Sequence, residues 1–493
     1  MGEQSQQLGN PRLWFWGLLT LAIALRVAAF DPFAVHHPDE VLQYLEPAYR
    51  LLTGDGIVTW EYRYGMRGWL LPWLLAGPMA LGKAIGGNAL AGIVAARIAV
   101  AAINLVPVIA AWHLGRRSSL AHAIAAMAVM ALWYEPIYFS SHVLTEVLAT
   151  SCFLGAAAMI DGKAGRGRIV AAGALLAAMV VLRFHYAVAA GTFALLTLGS
   201  DWKRWGWLTL GAIPVAALSG AIDLAMGQWP FEWVVNNFQH NVIEGRAAQF
   251  GVEEPGFYVK AIWDQWGWLA VPIALLAVNS GKAYRPILYA AVFNLAAHSL
   301  IGHKEYRFVE LTSATAILLA AVGSVNLVQA LTQRRQNHWP ALASLALLLL
   351  GWASASAWLG RGDPLDRWFG ERMAGPELTY AAGRDRRVCG LGTMTVEFWQ
   401  LSRVYLDRSI PILLLDNSPR PFPKPRPEGP EMAGINAVIA PAGSKQVLPG
   451  YSLARCRGEE PYRRCLYVRQ GGCASTPETQ SREVQNVLVE IDW

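Results

Sequence analysis

The sequence is dominated by apolar segments close to the length that crosses a lipid bilayer. A helix needs about 20 apolar residues to span the hydrocarbon core, and such segments recur from residue 13 to residue 359 and then stop. The 493-residue chain is 54% hydrophobic and only 15% charged, and it contains 21 tryptophans. This composition excludes an ordinary soluble enzyme and predicts a multispanning membrane protein. The first segment lacks the small-residue cleavage site of a secretory signal, so it is predicted to be a span.

Basic residues in the loops predict the orientation of the chain. Eleven spans are predicted at 12–30, 86–114, 119–137, 141–160, 168–182, 185–200, 206–224, 265–279, 285–301, 308–330 and 339–359. Every other connection carries the basic residues Arg12, Arg116, Arg117, Lys163, Arg166, Arg168, Lys203, Arg204, Lys282, Arg285, Arg334 and Arg335. By the positive-inside rule these connections and the N-terminus are cytoplasmic. Because its basic residues are dispersed in short loops, the chain is not expected to bind nucleic acid.

The last 134 residues differ from the rest of the chain. Residues 1–359 are predicted to form the membrane domain and residues 360–493 an external domain, in the periplasm or the lumen of the endoplasmic reticulum. Runs such as "RVCGLG", "IPILLLD" and "INAVIAP" indicate a small α/β unit. "ARCRGEEPYRRCLYV" is typical of a hairpin, with Cys456 and Cys465 as candidate disulfide partners, whereas Cys152 is intramembrane. This domain either recognises an acceptor or caps the outer loops.

The external loops 31–85 and 225–264 are long, and the first carries "HHPDEVLQYLEP". Pro38 suits the first position of a helix, which places Asp39 and Glu40 in a first turn that favours their ionised forms. Asp39, Gln43 and Glu46 are spaced to share one helix face, and Pro47 should end or kink the helix. An ionised carboxylate at the membrane surface is a candidate general base. The alternative is that these acids only complement the helix N-terminus.

"GHKEYRF" places His303, Lys304 and Arg307 within five residues at the outer end of a span. A cation cluster on this side opposes the positive-inside pattern, so a bound anion is one explanation, with Lys as a point charge and Arg as a bidentate fork. The other explanation is internal pairing with Glu305 and Glu310. Two further basic residues interrupt apolar segments and are functional candidates, unless they are buried against an acid. They are Arg97 and Arg183, and the acids considered are Glu135, Glu146 and Asp223.

Several common donor and metal sites have no counterpart in the sequence. No D-x-D triplet occurs, and no Cys/His metal spacing appears. "GPMALGKA" at 77–84 imitates a phosphate-binding loop, but Ala84 stands where Ser or Thr must bind magnesium. A base on one external loop and a cation cluster on another fit a transfer reaction with a phosphate leaving group. A lipid-phosphate donor would need neither a nucleotide site nor a metal, because Lys, Arg and His can hold its single phosphodiester, and no metal or cofactor is predicted.

Four segments carry a family resemblance in the same order along residues 36–310. They are "HHPDEVLQYLEPAYRLLTGDGIVTWEY", "AARIAVAA", "NFQHNVIEGRAAQFGVEEPGFYV" and "GHKEYRFVE". These segments resemble the luminal motifs of the family 22 mannosyltransferases, GT-C enzymes of GPI-anchor and N-glycan assembly, and the chain reads as a bacterial member. The resemblance implies an all-α GT-C membrane fold, here with the small external α/β domain. It also implies inverting transfer of mannose from polyprenyl- or dolichyl-phosphate mannose to a glycolipid or glycan acceptor.

The resemblance also implies roles for individual residues. Asp39 would be the catalytic base and Glu40 would position it or the sugar. The residues implied or inferred to bind the donor phosphate are His303, Lys304, Arg307 and Arg183. The predicted substrate-binding residues are His37, Gln43, Glu46, Trp60, Glu61, Arg97 and Tyr258. Departures from the family pattern, namely Tyr306, "RFHY" and "RGWLLP", bear on the choice of sugar and acceptor.

Two other classes of protein compete with this prediction. A transporter or flippase for a lipid or glycolipid would use Arg97, Arg183 and Asp223 along a pathway, and a non-catalytic assembly subunit would need neither base nor cations. A transporter predicts polar residues spread through the membrane midplane, whereas the richest clusters here lie towards one face. The enzyme prediction requires residues 31–85 and 303–307 at the same membrane face, with Asp39 near His303.

Overall fold

The computed structural model describes residues 8–334, 341–361, 374–394, 396, 398–415, 429–444, 448–458 and 463–490. The chain forms two compact units. The first comprises Met1–Phe30 and Val100–Pro364, and the second comprises Asp31–Ala99 and Leu365–Trp493. The first external loop therefore belongs to the same unit as the C-terminal residues. The predicted boundary between residues 359 and 360 stays a prediction.

The first unit is helical. Its α-helices are Pro11–Ala28, Val106–Gly115, Leu120–Leu132, Tyr134–Tyr138, Thr145–Met159, Arg166–Leu182, Ala187–Leu198, Trp202–Ala225, Glu232–Phe238, Phe257–Trp266, Ala270–Val278, Arg285–Ser299, Glu310–Arg334 and Ala341–Gly360. Within the described ranges, six helical segments are long and apolar enough to cross a membrane, or seven when one bent pair counts as a span. Shorter apolar helices of 10–17 residues accompany them. A multispanning helical protein is confirmed, while the count of eleven spans stays a prediction.

The bent pair breaks at Trp133. The segments Leu120–Leu132 and Tyr134–Ser141 meet at 58°, because Trp133 adopts an extended backbone with ψ of 134°. The break exposes carbonyls at the end of the first segment, which need donors inside a membrane. Arg26 supplies them, with hydrogen bonds of 3.2 Å to the Met130 carbonyl and 3.4 Å to that of Ala131. A buried arginine in the first span therefore has a structural role.

Glycines let two helices of this unit approach closely. A Cβ atom on Gly211 would lie 1.8 Å from the Val170 carbonyl oxygen, and one on Gly173 would lie 2.0 Å from that of Leu208. The helices Arg166–Leu182 and Trp202–Ala225 therefore touch backbone to backbone. Small residues at such crossings are characteristic of membrane helix packing.

The second unit combines helices with a mixed sheet. Its α-helices are Glu46–Thr53, Trp60–Arg63, Leu70–Gly86, most of Ala89–Ile103, Ala374–Arg384, Pro477–Ser481 and Val484–Glu490. The strands are β1 (Leu391–Thr393), β2 (Ile412–Leu414), β3 (Ala437–Pro441), β4 (Ser452–Arg457) and β5 (Arg464–Val468). The order is β2-β1-β3-β5-β4, with β1 parallel to β2 and β3, and β5 antiparallel to β3 and β4. The predicted C-terminal α/β unit is confirmed.

Two disulfides hold this sheet. Cys456 and Cys465 pair directly across β4 and β5, which confirms the predicted hairpin and its bridge. Cys389 is bonded to Cys473, 84 residues later, a pairing that the sequence did not identify. Cys152 is buried and free. Residues 416–428, which include most of the proline-rich run "NSPRPFPKPRPEGP", lie outside the described residues.

Candidate active site

The acidic segment of the first external loop is helical from Pro38, as predicted. Glu40–Leu45 forms a π-helix, and Glu46–Thr53 continues as an α-helix. The helix does not end at Pro47, and a kink there, the other predicted outcome, stays a prediction. Proline cannot donate to the carbonyl four residues earlier, but that carbonyl, of Gln43, accepts a 2.6 Å hydrogen bond from the Tyr62 hydroxyl. The chain thus passes Pro47 without leaving this group unsatisfied.

Asp39 stands at the start of this helix with its side chain 19% exposed. Its Oδ1 accepts a 2.9 Å hydrogen bond from Gln43 Nε2 and lies 3.3 Å from Nδ1 of His37. The backbone N–H of Asp39 donates to the same His37 nitrogen at 3.2 Å. The Asp39 carboxylate is therefore oriented by the amide of Gln43 and still reaches solvent, as a group that must meet a substrate requires.

Gln43 links Asp39 to a second carboxylate. Its Nε2 donates to Glu61 Oε1 at 2.8 Å, and Arg67 Nη2 lies 3.7 Å from that oxygen. Glu61 follows Trp60, whose side chain is buried. The structure thus brings the predicted base Asp39 together with three of the predicted substrate-binding residues and adds Arg67, the first residue of "RGWLLP". Each of these side chains contacts the next in the order His37, Asp39, Gln43, Glu61 and Arg67.

Glu40 has a different environment from its neighbour Asp39. Its side chain is fully buried, and Oε1 accepts from the backbone N–H of His36 at 2.6 Å and of His37 at 3.4 Å. Its Oε2 lies 3.8 Å from Nη2 of buried Arg97, which also donates to the Ala34 carbonyl. The partner of Arg97 is therefore Glu40, and not Glu135, Glu146 or Asp223, the acids that the sequence suggested. The geometry makes Glu40 and Arg97 a pair that holds the loop before Asp39.

Glu46 does not join Asp39 and Gln43. Its Oε2 accepts from Ile57 N and its Oε1 from Val404 N, both at 2.9 Å. The predicted shared face fails here because the π-helix advances by more residues per turn than an α-helix. Burial raises the pKa of Glu46 to about 7, against the opposing effect of the two backbone donors and Arg403. These contacts are structural, and a role in binding substrate stays a prediction.

A second polar group lies in the first unit, where two arginines converge on one acid. Arg183 Nη1 lies 2.9 Å and Arg307 Nη1 3.1 Å from the same oxygen, Oε1, of fully buried Glu146. The guanidinium carbons of the two arginines lie 4.4 and 5.0 Å from the Phe308 ring centroid. Of the acids considered for Arg183, Glu146 is the partner. The sequence could not select it, because Glu146 lies in the helix Thr145–Met159 and Arg183 follows the end of another helix, Arg166–Leu182.

The remaining members of the "HKEYR" segment surround this pair. Arg307 Nε donates to Glu305 Oε2 at 2.6 Å, and His303 Nε2 lies 3.0 Å from Glu305 Oε1. Lys304 donates to the Glu253 carbonyl at 2.6 Å. Internal pairing with Glu305 is thus present. We call Arg183, His303, Lys304 and Arg307 the cation cluster.

The charges of the cation cluster do not cancel. Its three permanent cations meet only two carboxylates in the contacts above, those of Glu146 and Glu305. In these contacts the cations outnumber the carboxylates by one, before His303 and the nearby Glu310 are counted. Tyr258 is buried and close enough to Arg183, Glu305 and Arg307 to interact with them electrostatically. A buried group with this charge can hold a phosphate monoanion.

Tyr306 points to another acid. Its hydroxyl donates to Glu135, which also accepts from the indole N–H groups of Trp133 at 3.0 Å and Trp266 at 3.2 Å. Glu135 is buried beside the break at Trp133. Tyr306, which departs from the family pattern, therefore fixes the "HKEYR" segment to the bent helix. In the described part of the chain, no group of three or more His, Cys, Asp or Glu side chains could hold a metal.

Comparison with solved structures defines the class of protein. The crystal structure of ArnT from Cupriavidus metallidurans bound to undecaprenyl phosphate superposes with a TM-score of 0.58 and 12% identity, covering 94% of this chain and 99% of that one. Its apo structure gives a TM-score of 0.55 and 13% identity, covering 92% and 97%. The chain has the GT-C glycosyltransferase fold, which confirms the predicted fold class.

The family follows from the sequence comparison. Residues 14–361 match the Alg9-like mannosyltransferase family, and the chain belongs to that family. GPI mannosyltransferase 3 of Yarrowia lipolytica is 27% identical over 303 residues, which is 59% of each chain. The protein of the same name from Trypanosoma brucei brucei is 38% identical over 72 residues, 14% of this chain and 13% of that one. The chain thus matches about three fifths of the length of the first relative, and its family resemblance is confirmed.

Proposed function

We propose that this protein transfers mannose from a polyprenyl-phosphate mannose, of the dolichyl type or its bacterial equivalent, to a hydroxyl of a glycolipid or glycan acceptor. The reaction inverts the sugar carbon and uses no metal or cofactor. The observation that carries the proposal is the convergence of Arg183 and Arg307 on Glu146. This arrangement places two buried guanidinium groups on one carboxylate in a member of a mannosyltransferase family.

The cation cluster acts on the leaving group. As the bond between the sugar carbon and the phosphate oxygen breaks, negative charge grows on the phosphate. Arg183, Lys304 and Arg307 stabilise this charge, and they bind the growing charge more strongly than the ground state. The ArnT structure that shares this fold holds undecaprenyl phosphate, which supports a lipid phosphate as donor.

Asp39 acts on the acceptor. Its carboxylate takes the proton of the acceptor hydroxyl, whose oxygen attacks the sugar carbon as the phosphate leaves on the opposite side. A single displacement of this kind inverts the carbon. The hydrogen bond from Gln43 orients Asp39, and Glu40 with Arg97 holds the backbone before it.

The membrane supplies both reactants. We place the N-terminus in the cytoplasm and the acceptor, the active site and the C-terminal α/β domain on the outer side, in a bacterial inner membrane or the endoplasmic reticulum membrane. The positive-inside pattern of the loops supports this orientation. A lipid-linked donor and a glycolipid acceptor can both reach such a site by diffusion in the bilayer.

The test is a transfer assay with purified full-length protein in lipid nanodiscs. Polyprenyl-phosphate mannose and nucleotide-linked mannose are each offered with a panel of lipid-linked acceptors. We expect a mannosylated lipid only with the lipid-phosphate donor. Product from nucleotide mannose alone would contradict the proposal, and so would lipid movement between leaflets without any transfer.

A further inference from the structure

Two buried polar side chains lie one turn apart on the helix Arg285–Ser299 and have no role so far. Asn294 is 0% and His298 is 1% exposed. His298 Nδ1 lies 2.9 Å from the backbone oxygen of Asn294. A carbonyl only accepts, so Nδ1 carries the proton and Nε2 is an acceptor. That Nε2 atom is buried and has no hydrogen-bond partner among the described residues.

The neighbouring hydroxyl fixes the orientation of the Asn294 amide. Thr312 Oγ1 donates to the Ala291 carbonyl at 2.9 Å, so this oxygen must accept from Asn294. Asn294 therefore directs Nδ2 to it at 3.2 Å, which leaves its Oδ1 as an acceptor. Within the described ranges that Oδ1 has no donor, and neither has Oε2 of Glu310, whose side chain is 3% exposed.

His298 and Glu310 lie near the arginine pair, and Asn294 is joined to them through its contact with His298. His298 interacts electrostatically with Arg183 and Glu146, and Glu310 interacts with Glu146. The ring of Tyr186, which is near Arg183, Glu146 and Glu310, lies 5.6 Å from that of His298. A buried acceptor without a donor costs about 1–3 kcal/mol. Three in one neighbourhood therefore indicate a missing partner that brings hydrogen-bond donors.

We propose that Asn294, His298 and Glu310 form the subsite for the sugar of the lipid-phosphate donor. The inference rests on the proposed function, which assigns Arg183 and Arg307 to the phosphate. A hexose presents several hydroxyl donors and is joined to that phosphate through a single oxygen, so it must lie beside the phosphate site. Acceptor atoms would repel a second phosphate, and a prenyl chain would leave them unpaired. The sugar is the part of the donor that satisfies them.

The experiment compares two lipids that differ only in the sugar. Affinities for polyprenyl-phosphate mannose and for polyprenyl phosphate are measured on the full-length protein in nanodiscs, for wild type, Asn294→Leu and His298→Phe. We expect each variant to bind the mannose lipid about 10-fold more weakly, the effect of one lost hydrogen bond to a buried group. Binding of polyprenyl phosphate should change less than about 2-fold, because the arginine contacts remain.

A matched histidine controls for the loss of a buried ring. His122 is also buried, but both of its nitrogens are paired, at 2.7 Å with Ser119 Oγ and 2.8 Å with Asn326 Oδ1. His122→Phe should not alter the ratio of the two affinities. His298→Gln, which can place an oxygen near the position of Nε2, should recover most of the lost discrimination. This variant keeps the test decisive if His298→Phe does not fold.

The outcomes separate this inference from the proposed function. If wild type binds both lipids and transfers mannose, but Asn294→Leu, His298→Phe and His298→Gln keep its affinity ratio, water alone occupies these acceptors and only the subsite is overturned. Equal losses of affinity for both lipids would place these residues at the phosphate and would also overturn the proposed sugar subsite. If wild type neither binds the lipids nor transfers mannose, the proposed function fails and the subsite fails with it.

Discussion

The side-chain amide of Gln43 donates a 2.9 Å hydrogen bond to Oδ1 of Asp39. The same amide nitrogen donates to Glu61 at 2.8 Å, so Gln43 is held between two carboxylates and fixes the direction of Asp39. The adjacent acid, Glu40, is fully buried and accepts from backbone N–H groups instead. Two neighbouring carboxylates thus occupy different environments, and their replacement should have different consequences.

Replacement of Asp39 by asparagine keeps the size of the side chain and removes the proposed base. We expect turnover to fall by about 100-fold or more, with little change in donor affinity or thermal stability. Glu40→Gln can keep its amide oxygen on the two backbone N–H groups but turns an N–H₂ group towards buried Arg97, so it should lower the thermal stability first. Steady-state kinetics and thermal unfolding of both variants check this. If Asp39→Asn keeps near-normal turnover while Glu40→Gln or Glu61→Gln abolishes it, the base is that other acid.

The helical membrane architecture could be predicted from the sequence, and the reason is physical. In a bilayer every backbone group must bond within its own helix, so about 20 apolar residues are a strong local signal. The start of the acidic helix at Pro38 is a local signal of the same kind. The π-helix at Glu40–Leu45 is not, because it depends on Tyr62 meeting the Gln43 carbonyl 19 residues away.

If the proposed function holds, replacement of Arg307 by alanine removes a contact to the donor phosphate in the ground state and in the transition state. We expect both a weaker donor affinity and a lower turnover, a different defect from that of Asp39→Asn. Substrate binding and single-turnover kinetics separate the two effects. Glu146→Gln combined with Arg307→Ala controls for the loss of the buried ion pair. If the double variant regains wild-type affinity and turnover, Arg307 only neutralises Glu146.

The pairings within the cation cluster could not be predicted, although its residues could. "GHKEYRF" showed an unusual concentration of charge at an outer boundary, which is a local feature of the sequence. Arg307 and Glu146 are 161 residues apart and meet only through the packing of helices. The same holds for Val404 and Glu46, 358 residues apart. Separations of this size carry no periodic signal, so only the assembled fold reveals them.

The absence of a D-x-D triplet and of a Cys/His metal spacing in the sequence predicts a reaction that needs no divalent cation. Transfer should therefore continue at an unchanged rate in excess chelator. Initial rates with and without EDTA, followed by addition of magnesium or manganese, check this. Strict dependence on either ion would contradict stabilisation of the leaving phosphate by arginine and lysine alone.

Because the pKa of Glu46 is raised, we expect the contact between the first external loop and the segment around Val404 to depend on pH. Its pKa is raised by burial from 4.5 to about 7, so the folded state binds a proton that the unfolded state releases between these values. The stability is fully present below about pH 4.5 and falls as the pH rises through 7, by up to about 3 kcal/mol. Hydrogen exchange of Ile57 and Val404 at pH 5 and pH 8 measures it.

The control for Glu46 is its glutamine variant. Glu46→Gln cannot ionise, so exchange at these two sites should lose its pH dependence after correction for the intrinsic rate. It should also be faster at pH 5, because an amide N–H₂ replaces an acceptor opposite one of two backbone donors. Protection that rises with pH in the wild type would show that the two backbone hydrogen bonds outweigh burial.

The two disulfides of the C-terminal sheet should contribute unequally to its stability. Cys389 and Cys473 close a loop with a sequence separation of 84, against 9 for Cys456 and Cys465. In the chain-entropy model the longer loop stabilises by about 4–5 kcal/mol and the shorter by about 2–3 kcal/mol. Hydrogen exchange of β3 and β5 in the two double-alanine variants compares them.

Because the Cys456–Cys465 bridge only joins adjacent strands of one hairpin, its loss should leave β3 protected, whereas loss of the Cys389–Cys473 bridge should expose it. Equal loss of protection would mean that the hairpin bridge supports the whole sheet.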